Sequence, residues 1–322
     1  MKTILKFIPL DHWILIIVKG KDSKKFLQHQ LTININHLTD QKNFLYSCHC
    51  NSKGRLLTNM QIFKYKHNHY GYIIRKNIAK IYLNSIKKYI FLYDIQILCS
   101  TKSLVGIYAD NNTTRNFLLK VLQNSNAFIH KTSLFIDKEN IVLKIRTISH
   151  NKYFTIIIVN NINNISSYIK YHKISLAYNY DIKLFCQMGY PIIDKHNFAK
   201  FIPQEINMYK FHAIDLHKGC YIGQEIINKI YMANHNYNNN KLFSIKIKIE
   251  NIIPMINDRL IITSQHKLTN KHHIINGYIL AIYYSTYNRY CLIQIMAKMT
   301  IMHNVNIKIL REHKSYALYI QK

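Results

Sequence analysis

No Cys-x-x-Cys pair occurs among the six cysteines of the chain (Cys48, Cys50, Cys99, Cys186, Cys220 and Cys291), so neither a zinc ribbon nor a thioredoxin-type motif is indicated. Long apolar runs are missing too. The stretch from Trp13 to Val18 has the length of a strand and is far too short to cross a bilayer. The opening Met1-Lys2-Thr3-Ile4-Leu5-Lys6 imitates a secretory signal, but Lys6, Pro9, Asp11 and His12 break the apolar run and no small-residue cleavage site follows. The expectation is a cytoplasmic monomer with reduced thiols and no membrane contact.

Carboxylates, glycine and tryptophan are scarce. Asp and Glu number 15 against 44 Lys and Arg, a net charge of +29, and 8 Gly and one Trp stand against 25 Tyr. Such a charge ordinarily points to nucleic acid or an anionic surface. A chain rich in Lys, Asn, Ile and Tyr also follows from AT-rich codons, and the positives are scattered: Lys24-Lys25 and Lys87-Lys88 are pairs, not tails. Contact with tRNA is therefore expected to be weak. Metal binding is not expected either. Cys48 and Cys50 share one face of a strand and read as buried core thiols before they read as a clasp. His67 and His69 read as loop residues, and His272-His273 are adjacent, out of ligand register.

With 322 residues, 48% of them hydrophobic, the chain can bury a large core. Residues 12–18 read as a buried strand. Asp22 or Ser23 can cap a helix running to Leu31, with Phe26, Leu27 and Leu31 on its apolar face. Phe44–Cys50 and Arg55–Tyr65 read as a hairpin around the turn Asn51-Ser52-Lys53-Gly54. A helix after Asn77 carries Ile78, Ile81, Tyr82 and Ile86, and strands follow over Phe91–Leu98 and Leu104–Tyr108. Strands in runs favour α+β over a doubly wound sheet. From Leu242 the texture is all β: segments 242–249, 259–263, 274–284, 290–296 and 306–310 suggest a small C-terminal barrel or sandwich. The polar run His235 to Asn240 is the candidate linker, giving a body over 1–235 and a barrel over 241–322.

The informative segment is Lys218-Gly219-Cys220-Tyr221-Ile222-Gly223-Gln224-Glu225. Gly219 and Gly223 permit unusual backbone angles or a close approach. A helix starting near Gly223 places Cys220 before its positive end, where Lys218 and His217 would favour the thiolate. The bare spacing fits equally well a tight turn into a core helix.

This octapeptide resembles the K-G-C-Y-x-G-Q-E motif of the YgfZ family, and other blocks are similar to that family as well. They are Gly189-Tyr190-Pro191-Ile192-Ile193-Asp194, Phe201-Ile202-Pro203-Gln204-Glu205-Ile206-Asn207, Cys50-Asn51-Ser52-Lys53-Gly54-Arg55, and Asp11-His12-Trp13 with the helix that follows. The resemblance implies interleaved α+β domains like those of the glycine-cleavage aminomethyltransferase, around a central channel for tetrahydrofolate or a derivative, plus the barrel. It implies a folate-binding accessory role in tRNA modification of the methylthiolation type and in iron–sulfur enzyme assembly, with links to regulation of replication initiation. The implied partners are iron–sulfur tRNA-modifying enzymes. By the same resemblance Trp13 contacts folate and Cys220 is the functional thiol, set among Lys218, Gly219, Tyr221, Gly223, Gln224 and Glu225. The family's second folate tryptophan falls at Asp181 here, with Tyr180 beside it as a substitute aromatic. Lys229 and Ala233 stand where relatives often carry arginine. The position matching the aminomethyltransferase aspartate is Asn59, which disfavours one-carbon transfer. Two alternatives remain beside the accessory role: a folate-dependent aminomethyltransferase and a basic RNA-binding protein.

Overall fold

The structure is a computed structural model that describes residues 5–39, 43–122, 134–137, 140–149, 151–232, 240–250, 252–265, 272–285, 289–298, 303–311 and 314–320. In chain order its elements are β1 (Lys6–Pro9), β2 (Trp13–Lys19), α1 (Ser23–Gln30), β3 (Phe44–Cys50), β4 (Leu56–Lys66), β5 (His69–Arg75), α2 (Ala79–Ile90), β6 (Gln96–Cys99), β7 (Ser103–Asp110), α3 (Asn111–Leu122), β8 (Leu134–Asp137), β9 (Asn140–Arg146), β10 (Lys152–Val159), α4 (Asn163–Tyr171), α5 (Tyr180–Met188) and α6 (Gln224–Met232). The barrel strands follow: β11 (Asn240–Lys248), β12 (Arg259–Gln265), β13 (His272–Tyr284), β14 (Tyr290–Lys298), β15 (His303–Arg311) and β16 (Lys314–Ile320). The chain forms two units, residues 1–47 with 60–184, and residues 48–59 with 185–322.

The first unit holds two five-stranded sheets, ordered β1-β7-β10-β9-β8 and β3-β4-β5-β2-β6. In the former, alternate residues Phe7, Ile107, Ile157 and Val142 face one way and bury against Phe117 and Leu118 of α3 and Ile165 of α4. Each such side chain contributes about 1.5–3 kcal/mol on burial. In the latter, Leu15, Ile16 and Val18 of β2 are all fully buried, which explains a strand without polar alternation. Two local expectations are corrected here. Asp22 does not cap α1: its carboxylate accepts the Asp94 backbone N–H at 2.9 Å, and Ser23 Oγ donates to the Asn68 carbonyl at 2.8 Å. The segment before β6 is a turn rather than strand, because residues 91–95 fold over the start of α1, with Asp22 N–H donating to the Asp94 carbonyl, and Phe91 is left 77% exposed.

The second unit contains the tip of the β3–β4 hairpin, the loops between α5 and α6, α6, and a closed barrel ordered β11-β14-β13-β12-β15-β16. Ile247, Leu260, Ile262, Ile293 and Ile307 fill the barrel. The sixth strand, β16, was not among the segments the sequence suggested. Only Leu318 of β16 is buried, so it lacks the alternation that marks a strand, yet its pairing of Ile320 with Ile247 closes the cylinder. The candidate linker lies outside the described residues except for Asn240, which opens β11.

Candidate functional site

In the second unit, four of the quoted motifs meet. The hairpin tip is an Asn-led turn: Asn51 Oδ1 accepts the backbone N–H groups of Lys53 and Arg55, both at 3.0 Å, and Gly54 completes it at φ +67°. Leu56 N–H donates to the Phe201 carbonyl at 2.7 Å, and the Leu56 carbonyl accepts from Ala199 N–H at 2.9 Å, so the Phe201–Asn207 segment runs beside the start of β4. Arg55 reaches the Lys200 carbonyl at 2.8 Å and lies 3.8 Å from the buried Glu205 carboxylate. Gln204 Nε2 donates to the Ile227 carbonyl at 2.9 Å, tying that segment to α6.

The tightest contact joins two glycines. Gly223 sits at φ +83°, and a Cβ built there would lie 2.5 Å from the Asn51 carbonyl oxygen and 3.1 Å from the Gly54 Cα. A Cβ on Gly54 would meet the Ile226 side chain at 3.0 Å. Backbone therefore touches backbone where the hairpin turn meets the start of α6, a geometry only glycine allows. Gly219 does not share this role. Its φ is not positive and nothing lies within 4 Å of its Cβ direction, so the expectation of a special backbone there is corrected.

Cys220 is exposed, four residues before the first residue of α6. Lys218 is turned inward instead of outward: its ammonium lies 4.9 Å from the Tyr221 ring centre and is buried. Burial lowers its pKa to about 8, with the Asp215 carboxylate pulling the other way. Tyr221 is buried with its hydroxyl unpartnered, and burial first, then the neighbouring Cys50, Cys48 and Asp215, pushes its pKa up. Gln224 Nε2 donates to the Lys218 carbonyl at 3.4 Å, and Glu225 stands exposed in the first turn of α6. Cys48 and Cys50 are buried, and burial raises the Cys50 thiol pKa beyond ordinary titration. Asn59 is buried, and its amide donates to the Pro191 carbonyl at 2.7 Å.

The first unit holds the other group of residues. Trp13 pairs with Arg75 across β2 and β5, which places the guanidinium 5.1 Å from the indole centre. Trp13 is 8% exposed, and its Nε1–H donates to Asp181 Oδ2 at 2.8 Å. His12 Nε2 donates to the same oxygen at 2.7 Å. Asp181 is fully buried and its Oδ1 has no hydrogen-bond partner. The two positions that the resemblance assigned to folate thus touch each other, although 168 residues separate them. Tyr180 turns elsewhere: its ring stacks 5.6 Å from Tyr108 and lies beneath the Lys6 and Lys183 ammonium groups. Reading the sequence did not reveal the part played by His12 and Arg75. His12 adjoins Trp13 and was visible as a neighbour; the Arg75 contact depends on strand register, which no motif announced.

No protein-family model matches the chain. Curated relatives do. The tRNA-modifying protein YgfZ of Buchnera aphidicola subsp. Baizongia pistaciae is 33% identical over 237 residues, covering 72% of this chain and 71% of that protein. The tRNA-modifying protein YgfZ of Buchnera aphidicola subsp. Schizaphis graminum is 31% identical over 302 residues, or 92% and 88% of the two chains. The chain belongs to the YgfZ family. Among solved structures, the glycine cleavage system aminomethyltransferase T from Bartonella henselae matches with a TM-score of 0.71 over 99% of this chain and 85% of that one, at 10% identity. The YgfZ chain therefore has an aminomethyltransferase-like α+β fold with a closed six-stranded barrel. Among the described residues, no helix is long and apolar enough to cross a membrane.

Proposed function

We propose that this chain is a cytoplasmic folate-binding accessory protein that supports tRNA modification of the methylthiolation type and the upkeep of iron–sulfur enzymes. The observation that carries the reading is 31% identity across 92% of the chain to a relative named for tRNA modification. In this reading residues 1–235 form the folate-binding body and residues 241–322 an accessory barrel.

The donor set around Trp13 suits a reduced folate. The indole N–H is already satisfied by Asp181, so what Trp13 offers a ligand is a flat apolar ring. The buried, unpartnered Asp181 Oδ1 is an acceptor, matching the N–H-rich edge of a pterin. Arg75 supplies positive charge against the same ring. When bound, tetrahydrofolate supplies a one-carbon unit or a reducing ring, while the protein holds and orients it. Asn59 argues against aminomethyl transfer: it carries no charge, and its amide is committed to the Pro191 carbonyl.

Cys220 is the group we assign to the accessory step. It is an exposed thiol on a loop fixed at one end by the Gly223 contact, which leaves the sulfur accessible to a partner enzyme. The test is complementation of a bacterial strain lacking its own family member, scored by methylthio-modified tRNA. The native chain should restore the modification and Cys220→Ser should not. Failure of the native chain would remove the tRNA role, and full rescue by the serine variant would reduce Cys220 to a loop residue.

A further inference from the structure

Lysine ammonium groups lie over tyrosine rings at many places in this chain, and at one place three of them converge. Lys6 of β1 and Lys183 of α5 lie 4.3 Å and 4.9 Å from the centre of the Tyr180 ring. Tyr180 lies 5.6 Å from the Tyr108 ring, and Lys152 of β10 is 5.6 Å from Tyr108. Strand register explains the convergence. Lys6 is opposite Tyr108, and Phe154, two residues after Lys152, is opposite Tyr108 from the other side, so Lys6, Tyr108 and Lys152 share one sheet face. Tyr180 and Lys183, three apart, share a face of α5. No run in the sequence announces the cluster, because its members are drawn from four elements. All three lysines are partly exposed.

Asp110, opposite Lys152, takes the Thr113 N–H and hydroxyl at 2.8 and 2.9 Å, and Asp181 is buried against Trp13 and His12. A ring face holds an ammonium in place without cancelling its charge.

We propose that Lys6, Lys152 and Lys183 form a phosphate-binding face for RNA. The choice of RNA over other polyanions rests on the tRNA-linked role proposed above. The tyrosine faces are taken by lysines and by each other, and Tyr108 is buried, so the surface reads backbone phosphates and not bases. Binding at this face is sequence-independent and sensitive to salt.

The test is binding of an unmodified tRNA transcript to the full chain between 50 and 200 mM salt, a range in which phosphate contacts separate clearly (roughly 10³-fold or more for six contacts). The triple variant Lys6→Gln, Lys152→Gln, Lys183→Gln is compared with Lys241→Gln, Lys246→Gln, Lys308→Gln on the barrel, which removes the same charge. Lys246 also lies over a tyrosine, 4.4 Å from Tyr290. The first triple should weaken binding about tenfold and flatten the log–log salt slope by about 2, at roughly 0.7 per phosphate contact. The barrel triple should change affinity less than about twofold. Arginine at positions 6, 152 and 183 should keep the binding, and the single glutamine variants read the loss in parts if the triple misfolds. Equal loss in both triples, no loss in the first, or preference of the native chain for phosphatidylserine vesicles over tRNA would overturn the proposal. Complementation by the native chain reports the tRNA role separately, so a chain that rescues modification without binding tRNA at this face refutes only the face.

Discussion

The hairpin–helix junction of the second unit and the tryptophan clamp of the first are held by opposite kinds of contact. At the junction, Gly223 and Gly54 bring main chain against main chain, and side chains matter by being absent. At the clamp, Trp13, His12, Asp181 and Arg75 are held by polar side chains from β2, α5 and β5 together with the loop before β2. The first kind of contact forbids almost every substitution. The second admits alternatives, provided that buried donors and acceptors stay matched.

The sharpest way to break the comparison is at Gly223. Gly223→Ala combines a left-handed backbone with a Cβ 2.5 Å from the Asn51 oxygen, and should cost at least about 3 kcal/mol in thermal or urea unfolding. Gly219→Ala, with open space around it, should cost less than about 0.5 kcal/mol. Similar losses at both positions would mean that the motif glycines do not differ in role.

At the clamp the expected effect is smaller. Asp181→Leu removes the acceptor for Trp13 and His12 and should cost about 1–3 kcal/mol; Asp181→Asn keeps an acceptor oxygen and should lose less. Emission of the only tryptophan should shift in the leucine variant and stay close to native in the asparagine variant. Equal shifts would show that the carboxylate does not orient the indole.

His49, beside the junction cysteines, is read through pH. Burial lowers its pKa from 6.5 to about 3, so it stays neutral in the fold while the unfolded chain takes up a proton. Its depressed value means that stability from this group is full above the unfolded pKa and falls as pH drops from about 6.5 towards 3. The slope is up to about 1.4 kcal/mol per pH unit. His49→Leu should flatten that acid limb in urea melts between pH 6.5 and 4. An unchanged slope would place the acid sensitivity elsewhere.

The sequence made some of this legible and hid the rest for physical reasons. Gly219 and Gly223 were legible alike as glycines that free the backbone, and only Gly223 combines a left-handed turn with a close approach; Gly54 was legible as the end of the hairpin turn. The hairpin and five barrel strands were visible through hydrophobic patterning, whereas β16 buries only Leu318 and so carries no alternation. The bond from Asp181 to Trp13 crosses 168 residues, and nothing in either local segment indicates a partner. The expected role of Lys218 beside Cys220 rests on proximity in sequence, which does not fix side-chain direction; the amine folds inward onto Tyr221.

Folate binding at Trp13 is the central claim, and the single tryptophan makes it directly measurable. Tetrahydrofolate titrated into the native chain should quench Trp13 fluorescence saturably at micromolar-scale concentrations, corresponding to roughly −8 kcal/mol. Binding followed by calorimetry should weaken more in Trp13→Ala than in Trp13→Phe, which keeps a stacking face. Absence of both quenching and a thermal shift at millimolar tetrahydrofolate would contradict the account.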